Sequence, residues 1–342
     1  MARRPTILTV AEKAGVAPST VSRYLNEHYV SKEVRKRLAE VIKDLGYSRS
    51  ATARNLVLQR KGCIGVMVDS TEGSWFNQLL TGLEEELTNL DTSLMLTSLE
   101  LAGRYDPAIV YKWIHEQRID GLIVAKSQRR ERPIVQAAIE AGIPVAMIGP
   151  FETVEHAQIV RCNNIDGGVT VANHLADLGH KRVAFVGGPR QSIDTRHRLR
   201  GLQEGLSARG IPLNNGLISY CGSYEAQAAR SYAEEFFRRP RKVTAIVVGN
   251  DALALGFMRR ALFLGIRIPQ DLSVVGFDNI PECDVMWPGL TSMAQPMREM
   301  GREACRRILD VIDGRNQSQN IEYPMTLVVR ESTGPAAGVS PE

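Results

Sequence analysis

Residues 9–26, TVAEKAGVAPSTVSRYLN, constrain the fold more than any other stretch of the chain. Two short segments with apolar residues at helical spacing flank Gly15, a residue that can turn the backbone left-handed. The pattern predicts two helices meeting at a tight turn, the helix-turn-helix layout. Thr9 and Glu12 form a T-x-x-E capping box that predicts the start of the first helix, with Val10, Ala11 and Ala14 on its buried side. Pro18 suits the first position of the second helix, where its missing N–H leaves nothing unpaired. Val21 and Leu25, four apart, turn that helix toward a core. Ser19, Ser22, Arg23 and Asn26 are left on its solvent face.

Ser31 is a cap for a third helix through Leu45, closed by Gly46, with Val34, Leu38, Val41, Ile42 and Leu45 as its apolar stripe. Residues 1–61 hold 13 Lys/Arg against 5 Asp/Glu, a net of +8; the remainder holds 29 against 33, a net of −4. A small basic head on a mildly acidic body suits a head that meets phosphates. Residues 50–57, SATARNLV, read either as a short helix capped by Ser50 or as an ordinary linker. As a helix the segment is too short to hold itself together in water, and it exposes Leu56.

From residue 62 onward, strand-like apolar runs alternate with helix-length segments. The expected strands are Cys63–Val68, Leu94–Thr97, Gly121–Ala125 and Pro144–Ile148, then Val183–Val186, Leu217–Tyr220, Ala245–Val248 and Ser273–Gly276. Buried β-branched runs separated in this way mean parallel sheets with crossover helices. The pattern runs twice, halved near Arg161, so the body reads as two similar α/β lobes. Ligands of such sheets sit beyond the carboxyl ends of the strands, here in the cleft between lobes.

The chain lacks G-x-S-x-G, a P-loop, G-x-G-x-x-G after a strand, and H-E-x-x-H. Its six histidines have no ligand spacing, and its five cysteines form no C-x-x-C pair. No catalytic residue, metal or cofactor is therefore expected, and His180 reads as structural. No apolar run spans a bilayer and no signal peptide is evident, so a cytoplasmic protein without a membrane partner is expected.

Longer motifs narrow the reading. The head carries A-E-K-A-G-V-x-x-x-T-V-S-R-x-L-N, then V-S-x-x-x-R at 30–35, L-G-Y at 45–47 and A-R-x-L at 53–56. The body carries H-L-x-x-L-G-H-x-R-V-A-F-V-G-G at 174–188, A-I-V-V-G-N-D-A-L-A-L-G at 245–256 and D-L-S-V-V-G-F-D-N at 271–279. L-T-S-M-A-Q-P-M-R-E-M-G follows at 290–301. In order and spacing this series resembles the lactose-repressor (LacI/GalR) family along nearly the whole chain.

The resemblance implies an all-α helix-turn-helix head and an α/β body like periplasmic sugar-binding proteins, with three crossings between two parallel-sheet lobes. It divides the chain into a DNA-binding domain at 1–48, a hinge at 49–61, an effector-binding and dimerisation domain at 62–335, and a tail at 336–342. Lobe one is expected at 62–161 plus about 291–323, and lobe two at 162–290 plus 324–335. The second helix is expected in the major groove, with Pro18, Ser19 and Arg23 toward base edges and Ser22 and Asn26 toward phosphates. Arg23 suits readout because its planar fork pairs with guanine O6 and N7. Residues 50–57 match the family's hinge helix, with Leu56 as the minor-groove wedge and Arg54 beside the backbone. Ala17 stands where the family has a polar cap, and Arg49 where it has a proline.

For the effector, matched positions pick Arg198, Asn250, Asp278 and Gln295, Tyr224 as a stacking platform, and Trp75 and Phe76 at the end of the first strand-to-helix loop. Asp278 also reads as a turn cap and Tyr224 as core. Arg196 and Arg200, if they face the cleft, favour an anionic ligand. Asn163 and Asn164 stand where an acidic residue is common. The function implied is a ligand-responsive transcriptional repressor. It binds double-stranded operator DNA as a homodimer and responds to a sugar, sugar acid or sugar phosphate. The alternative is a cytosolic sugar-binding or sugar-modifying protein whose head binds a protein.

Overall fold

The computed structural model describes residues 5–47, 60–69, 73–88, 90–101, 104–125, 131–149, 154–238, 242–315 and 320–336. The chain divides into two compact units, Met1–Gly62 and Cys63–Glu342.

The first unit holds α1 (Ile7–Ala14), α2 (Pro18–Leu25) and α3 (Lys32–Leu45) around Val10, Ala11, Ala14, Val21, Leu38 and Val41. Helix α1 begins one turn before the expected start. Its cap is Thr6: the Thr6 hydroxyl accepts the Thr9 N–H at 3.3 Å, and the Thr9 hydroxyl accepts the Thr6 N–H at 3.3 Å. A hydroxyl at the third helical position thus completes the box where a Glu was expected, and Glu12 lies exposed in the helix. Gly15 ends α1 at φ 62°, ψ 41°, where its N–H reaches the Ala11 and Glu12 carbonyls. Ala17 caps α2 without a side-chain bond, and Ser31 Oγ accepts the Val34 N–H at 3.4 Å to open α3. The expected hinge, with Arg54 and Leu56, lies outside the described residues.

In the second unit the chain runs β1 (Cys63–Val68), α4 (Ser74–Leu87), β2 (Ser93–Ser98), β3 (Glu100–Leu101), β4 (Arg104–Tyr105), α5 (Ala108–His115), β5 (Gly121–Ala125), α6 (Arg132–Glu140), β6 (Val145–Ile148) and β7 (Ala157–Cys162). It continues with α7 (Asn164–Asp177), β8 (Val183–Gly187), α8 (Ile193–Ala208), β9 (Ile218–Tyr220), α9 (Ala226–Arg238), β10 (Ala245–Val248), α10 (Asp251–Phe263), β11 (Ser273–Asp278) and α11 (Glu282–Val285). Last come β12 (Thr291–Ala294), α12 (Met297–Ile312), β13 (Ile321–Tyr323) and β14 (Thr326–Val328). All eight expected strands are present, with ends shifted by at most two residues.

Among the described residues two six-stranded sheets form, ordered β13-β7-β6-β5-β1-β2 and β14-β12-β11-β10-β8-β9. Every pairing within them is parallel except β12 with β14. Side chains alternate across each sheet. Ile64, Val66 and Val68 meet α4 and α12, whereas Met67 joins the core under α5 and α6. In the second sheet Ala184 and Val186 meet α9 and α10, and Val183 and Phe185 meet α7 and α8. Each lobe is therefore a sheet between two helical layers.

The lobes exchange chain after Cys162, after Ala294 and after Tyr323. This corrects the expected boundary near 291. Thr291–Ala294 pairs with β11 and β14 in the second sheet, and only α12 packs on the first lobe. Cys162 likewise ends a first-sheet strand. His180 is structural, as expected: Nδ1 lies 2.9 Å from Thr244 Oγ1 and Nε2 lies 3.0 Å from the Gly334 carbonyl.

Helices α7 and α8 approach closely through Gly168 and Gly201. A Cβ on Gly201 would stand 1.9 Å from the Ile165 carbonyl oxygen, and one on Gly168 would stand 2.5 Å from the Arg198 carbonyl oxygen. Gly201→Ala should force these helices apart and cost about 1–3 kcal/mol. Urea unfolding followed by circular dichroism checks this, and an unchanged midpoint would refute the close approach.

Candidate functional site

On the head, α2 turns Val21 inward and exposes Pro18, Ser19, Arg23 and Asn26, with Ser22 half-buried. Helical spacing of three and four places Ser19, Ser22, Arg23 and Asn26 along one side. Asn26 Nδ2 donates to Ser22 Oγ at 3.5 Å, so the two polar ends are already paired. The Arg35 guanidinium from α3 lies over the Tyr24 ring at 5.5 Å, which binds α3 to the far side of α2. Tyr29, in the α2–α3 connection, is 89% exposed.

In the body a second polar group forms where the strands of the second sheet end. Arg198, on α8, is only 2% exposed. Its Nε donates to Asn164 Oδ1 at 2.8 Å, Nη1 to the Gly249 carbonyl at 2.5 Å and Nη2 to Asp278 Oδ1 at 3.2 Å. Its guanidinium carbon lies 4.7 Å from the Phe277 ring centroid. Burial works against the guanidinium's charge, yet Asp278, then Asp194, more than compensate, so its pKa is raised. Gln295, at the second crossing, donates through Nε2 to the same Asp278 oxygen. Asp278 and Asn279 both hold positive φ, 114° and 54°. Two successive non-glycine residues in that region mark backbone strain concentrated at this point.

Asn250 caps α10: its Oδ1 accepts the Leu253 N–H at 3.0 Å, and its Nδ2 donates to the Tyr224 carbonyl at 3.5 Å. The Tyr224 hydroxyl pairs with Ser192 Oγ at 2.7 Å and with Thr195 Oγ1 at 2.8 Å, and burial pushes it up to about 12. Trp75 packs against hydrophobic clusters of both lobes. Phe76 is a buried first-lobe core residue, edge-on to Trp75 with ring centroids 6.1 Å apart. The lobes also touch through Ser74 Oγ, which donates to Glu282, and Gln78 Nε2, 3.5 Å from the Asn279 carbonyl.

The structure thus gathers Arg198, Asn250, Asp278, Gln295 and Tyr224, with Trp75 bridging the lobes. Asn164, Asp194, Ser192 and Thr195 also belong to this group, though sequence reasoning did not select them. The signal for Asn164 was its place in a position where an acid is common; its partner Asp194, which accepts from Asn164 Nδ2 at 3.1 Å, had none. Arg196 is exposed, and Arg200 Nε donates to Glu204 at 2.7 Å. Neither arginine joins the cluster.

Residues 6–50 match the family described as bacterial regulatory proteins, lacI family, and residues 172–333 match a periplasmic binding protein-like domain. The HTH-type transcriptional regulator DegA of Bacillus subtilis (strain 168) is 30% identical over 340 residues, 97% of this chain and 99% of that protein. The HTH-type transcriptional repressor PurR of Photobacterium profundum is 29% identical over 333 residues, 96% and 98% of the two chains. Among solved structures, the lac repressor dimer bound to operator and the anti-inducer ONPF superposes with a TM-score of 0.81. It is 26% identical and covers 97% of this chain and 100% of that one. A complex of the transcriptional regulator CelR with cellobiose reaches a TM-score of 0.72 at 28% identity, covering 96% and 100%.

Asp251, next to Asn250, is fully buried and accepts from the Ile280 N–H at 3.0 Å, Ser292 Oγ at 2.6 Å and Cys283 Sγ at 3.2 Å. Burial, and then the charge of Asp278, push its carboxyl up to about 7. The folded state therefore holds this proton across a range where the unfolded chain has released it. Through this group, stability should fall as pH rises from about 4 to about 7. Asp251→Asn should flatten that part of the profile, whatever its overall cost. Denaturant unfolding at intervals of pH measures it; an identical slope in the variant would show an ordinary carboxyl.

Proposed function

This chain belongs to the lacI family of bacterial regulatory proteins, and on that premise we propose that it grips a twofold-symmetric operator as a homodimer, under control of a sugar or sugar-derived effector held in the body's cleft. It is a ligand-responsive, DNA-binding transcriptional regulator and not an enzyme. Repression is the mode its relatives' names support.

The observation that carries the reading is the exposed polar side of α2 on a head of net charge +8. Pro18, Ser19 and Arg23 are assigned to base edges, and Ser22 and Asn26 to phosphates. The fork of Arg23 reads guanine. Arg54 and Leu56 are assigned to backbone and minor groove on the family resemblance. At the bare second-helix cap, Pro18 has no N–H and the Thr20 N–H meets the Ala17 carbonyl, which leaves the Ser19 N–H for a phosphate.

For the effector, Arg198, Asn250, Asp278, Gln295, Tyr224 and Trp75 supply paired donors and acceptors beside aromatic surface, as a polyol requires. The likeness to the CelR–cellobiose complex supports a sugar. Phe76 contributes by holding Trp75.

For the dimer, the second lobe presents Val285 and Trp287, 85% and 77% exposed. Beside them runs a groove of about 330 Å³ lined by Arg230, Leu255, Arg259, Glu282, Val285 and Met286. The groove carries both an acid and bases beside apolar surface, the mixed chemistry that a self-complementary twofold interface can use.

Duplexes selected from a randomised pool should be palindromic, and their affinity should fall steeply with salt as counterions are released. Salt-insensitive or absent duplex binding, with sugar turnover, would favour the rival sugar-modifying protein. Arg23→Ala should cost about 1–3 kcal/mol of operator affinity and relax preference at one base pair per half-site. Val285→Asp should yield monomers by sedimentation; a dimer unchanged at low concentration would move the interface elsewhere.

A further inference from the structure

Resting on the cleft as the effector site, we propose that it accepts an uncharged, hydroxyl-rich effector and excludes the carboxylated or phosphorylated form of the same molecule. Asn164 sets this choice by fixing the Arg198 guanidinium onto Asp278.

What Arg198 has left to offer decides its choice of ligand. An arginine selects an anion through a fork of two parallel N–H groups. Here every nitrogen of the fork is engaged by the protein: Nε by Asn164, Nη1 by the Gly249 carbonyl, Nη2 by Asp278. Of its five N–H groups three are committed, which leaves one each on Nη1 and Nη2, both nitrogens already held by the protein. One face is also covered, since the guanidinium stacks on Phe277 at 4.7 Å. A carboxylate or phosphate that takes these two N–H groups must share the guanidinium with Asp278 and stand beside its carboxylate.

The surrounding charge points the same way. The carboxyls whose fields act most strongly on Arg198 are Asp278, Asp194 and Asp251. Two of these, Asp278 and Asp194, stand around one cation, while Asp251 holds its proton up to about pH 7; a further anion is repelled by the pair. The arginines that could reverse this balance do not reach it: Arg196 faces solvent, and Arg200 pairs with Glu204. What remains suits hydroxyls. Both bonds into Asp278 land on Oδ1, which leaves Oδ2 to accept from a sugar. The hydroxyls of Tyr224, Ser192 and Thr195 form an uncharged, exchangeable group close by.

Asn164 is the pivot because its amide is fixed at both ends. Nδ2 donates to Asp194 Oδ1 at 3.1 Å, so Oδ1 must face Arg198 Nε, and a flipped amide would set N–H against N–H. Asn164 is 2% exposed and sits at the first crossing between lobes, where it positions Arg198 rather than offering a surface to solvent.

The test uses the full-length protein and matched probes: ribose with ribose 5-phosphate, glucose with gluconate and glucose 6-phosphate, cellobiose with cellobionate. Calorimetric titration gives an affinity for each. For the pair that binds, the neutral member should be at least about 100-fold tighter, as like-charge juxtaposition in a buried site implies. In Asn164→Leu the neutral-to-anion ratio should shrink by about tenfold or more, because Nε is released to complete a fork. Asn164→Asp keeps the acceptor for Nε and sets a further carboxylate beside Asp194, so there the ratio should not shrink. A ratio of two affinities on one variant is insensitive to a general loss of folded protein, and unchanged operator binding without ligand confirms the fold. An anionic probe that binds the wild type as tightly as its neutral partner overturns this inference and leaves the sugar reading intact. A ratio unaltered in Asn164→Leu removes the role of Asn164. Binding of nucleobases together with silence of every sugar, charged or not, removes the effector reading itself.

Discussion

A guanidinium that is 2% exposed governs the architecture of the second lobe. An uncompensated buried charge would cost several kcal/mol, so Arg198 dictates where its acceptors must be. It draws together the start of α7, the loop after β10 and the end of β11, through Asn164, Gly249 and Asp278. The close approach of α7 and α8 at Gly168 and Gly201 is part of the same arrangement, because it brings the Arg198 helix to the first crossing.

That arrangement bears on regulation in the proposed reading. Asn164 lies just after the first crossing and Gln295 at the second, and both bond to the Arg198–Asp278 pair. An occupant that exchanges its own hydroxyls for these bonds acts where lobe motion must be absorbed. A ligand can shift such an equilibrium only by its differential affinity for the two arrangements. The interlobe contacts of Trp75, Ser74 and Gln78 belong to one of them.

The head was legible almost residue by residue. Its three helices follow local signals: Pro18 at a first turn, Ser31 as a cap, Gly15 and Gly46 in the left-handed region at helix ends. The one slip, the start of α1, arose because Thr6 and Thr9 cap reciprocally with two hydroxyls, whereas the motif sought a Glu. In the body eight strands were readable as apolar runs, six of them inside the sheets and β2 and β9 at their edges. The longer strands that went unread are β7, β12, β13 and β14. Three-residue edge strands such as β13 and β14 are short and carry half-exposed side chains, so their partners define them. The lobe boundary near 291 differs because β12, a buried but polar TSMA stretch, is recognised by its pairing to β11 and β14.

By itself the sequence determined the local structure and the kinds of chemistry present: a basic three-helix head with polar residues along one helix, and a twice-repeated α/β body with polar residues at strand ends. Helical period, capping residues and strand-length apolar runs act over a few residues, so they can be read from neighbours in the chain. Only the tertiary structure decided which of Arg196, Arg198 and Arg200 is buried, and that Asn164 and Asp194 stand beside it. All three arginines lie on one helix of weak apolar patterning. What separates them is a set of acceptors 34, 51 and 80 residues away, brought within hydrogen-bond distance by the folding of the lobe.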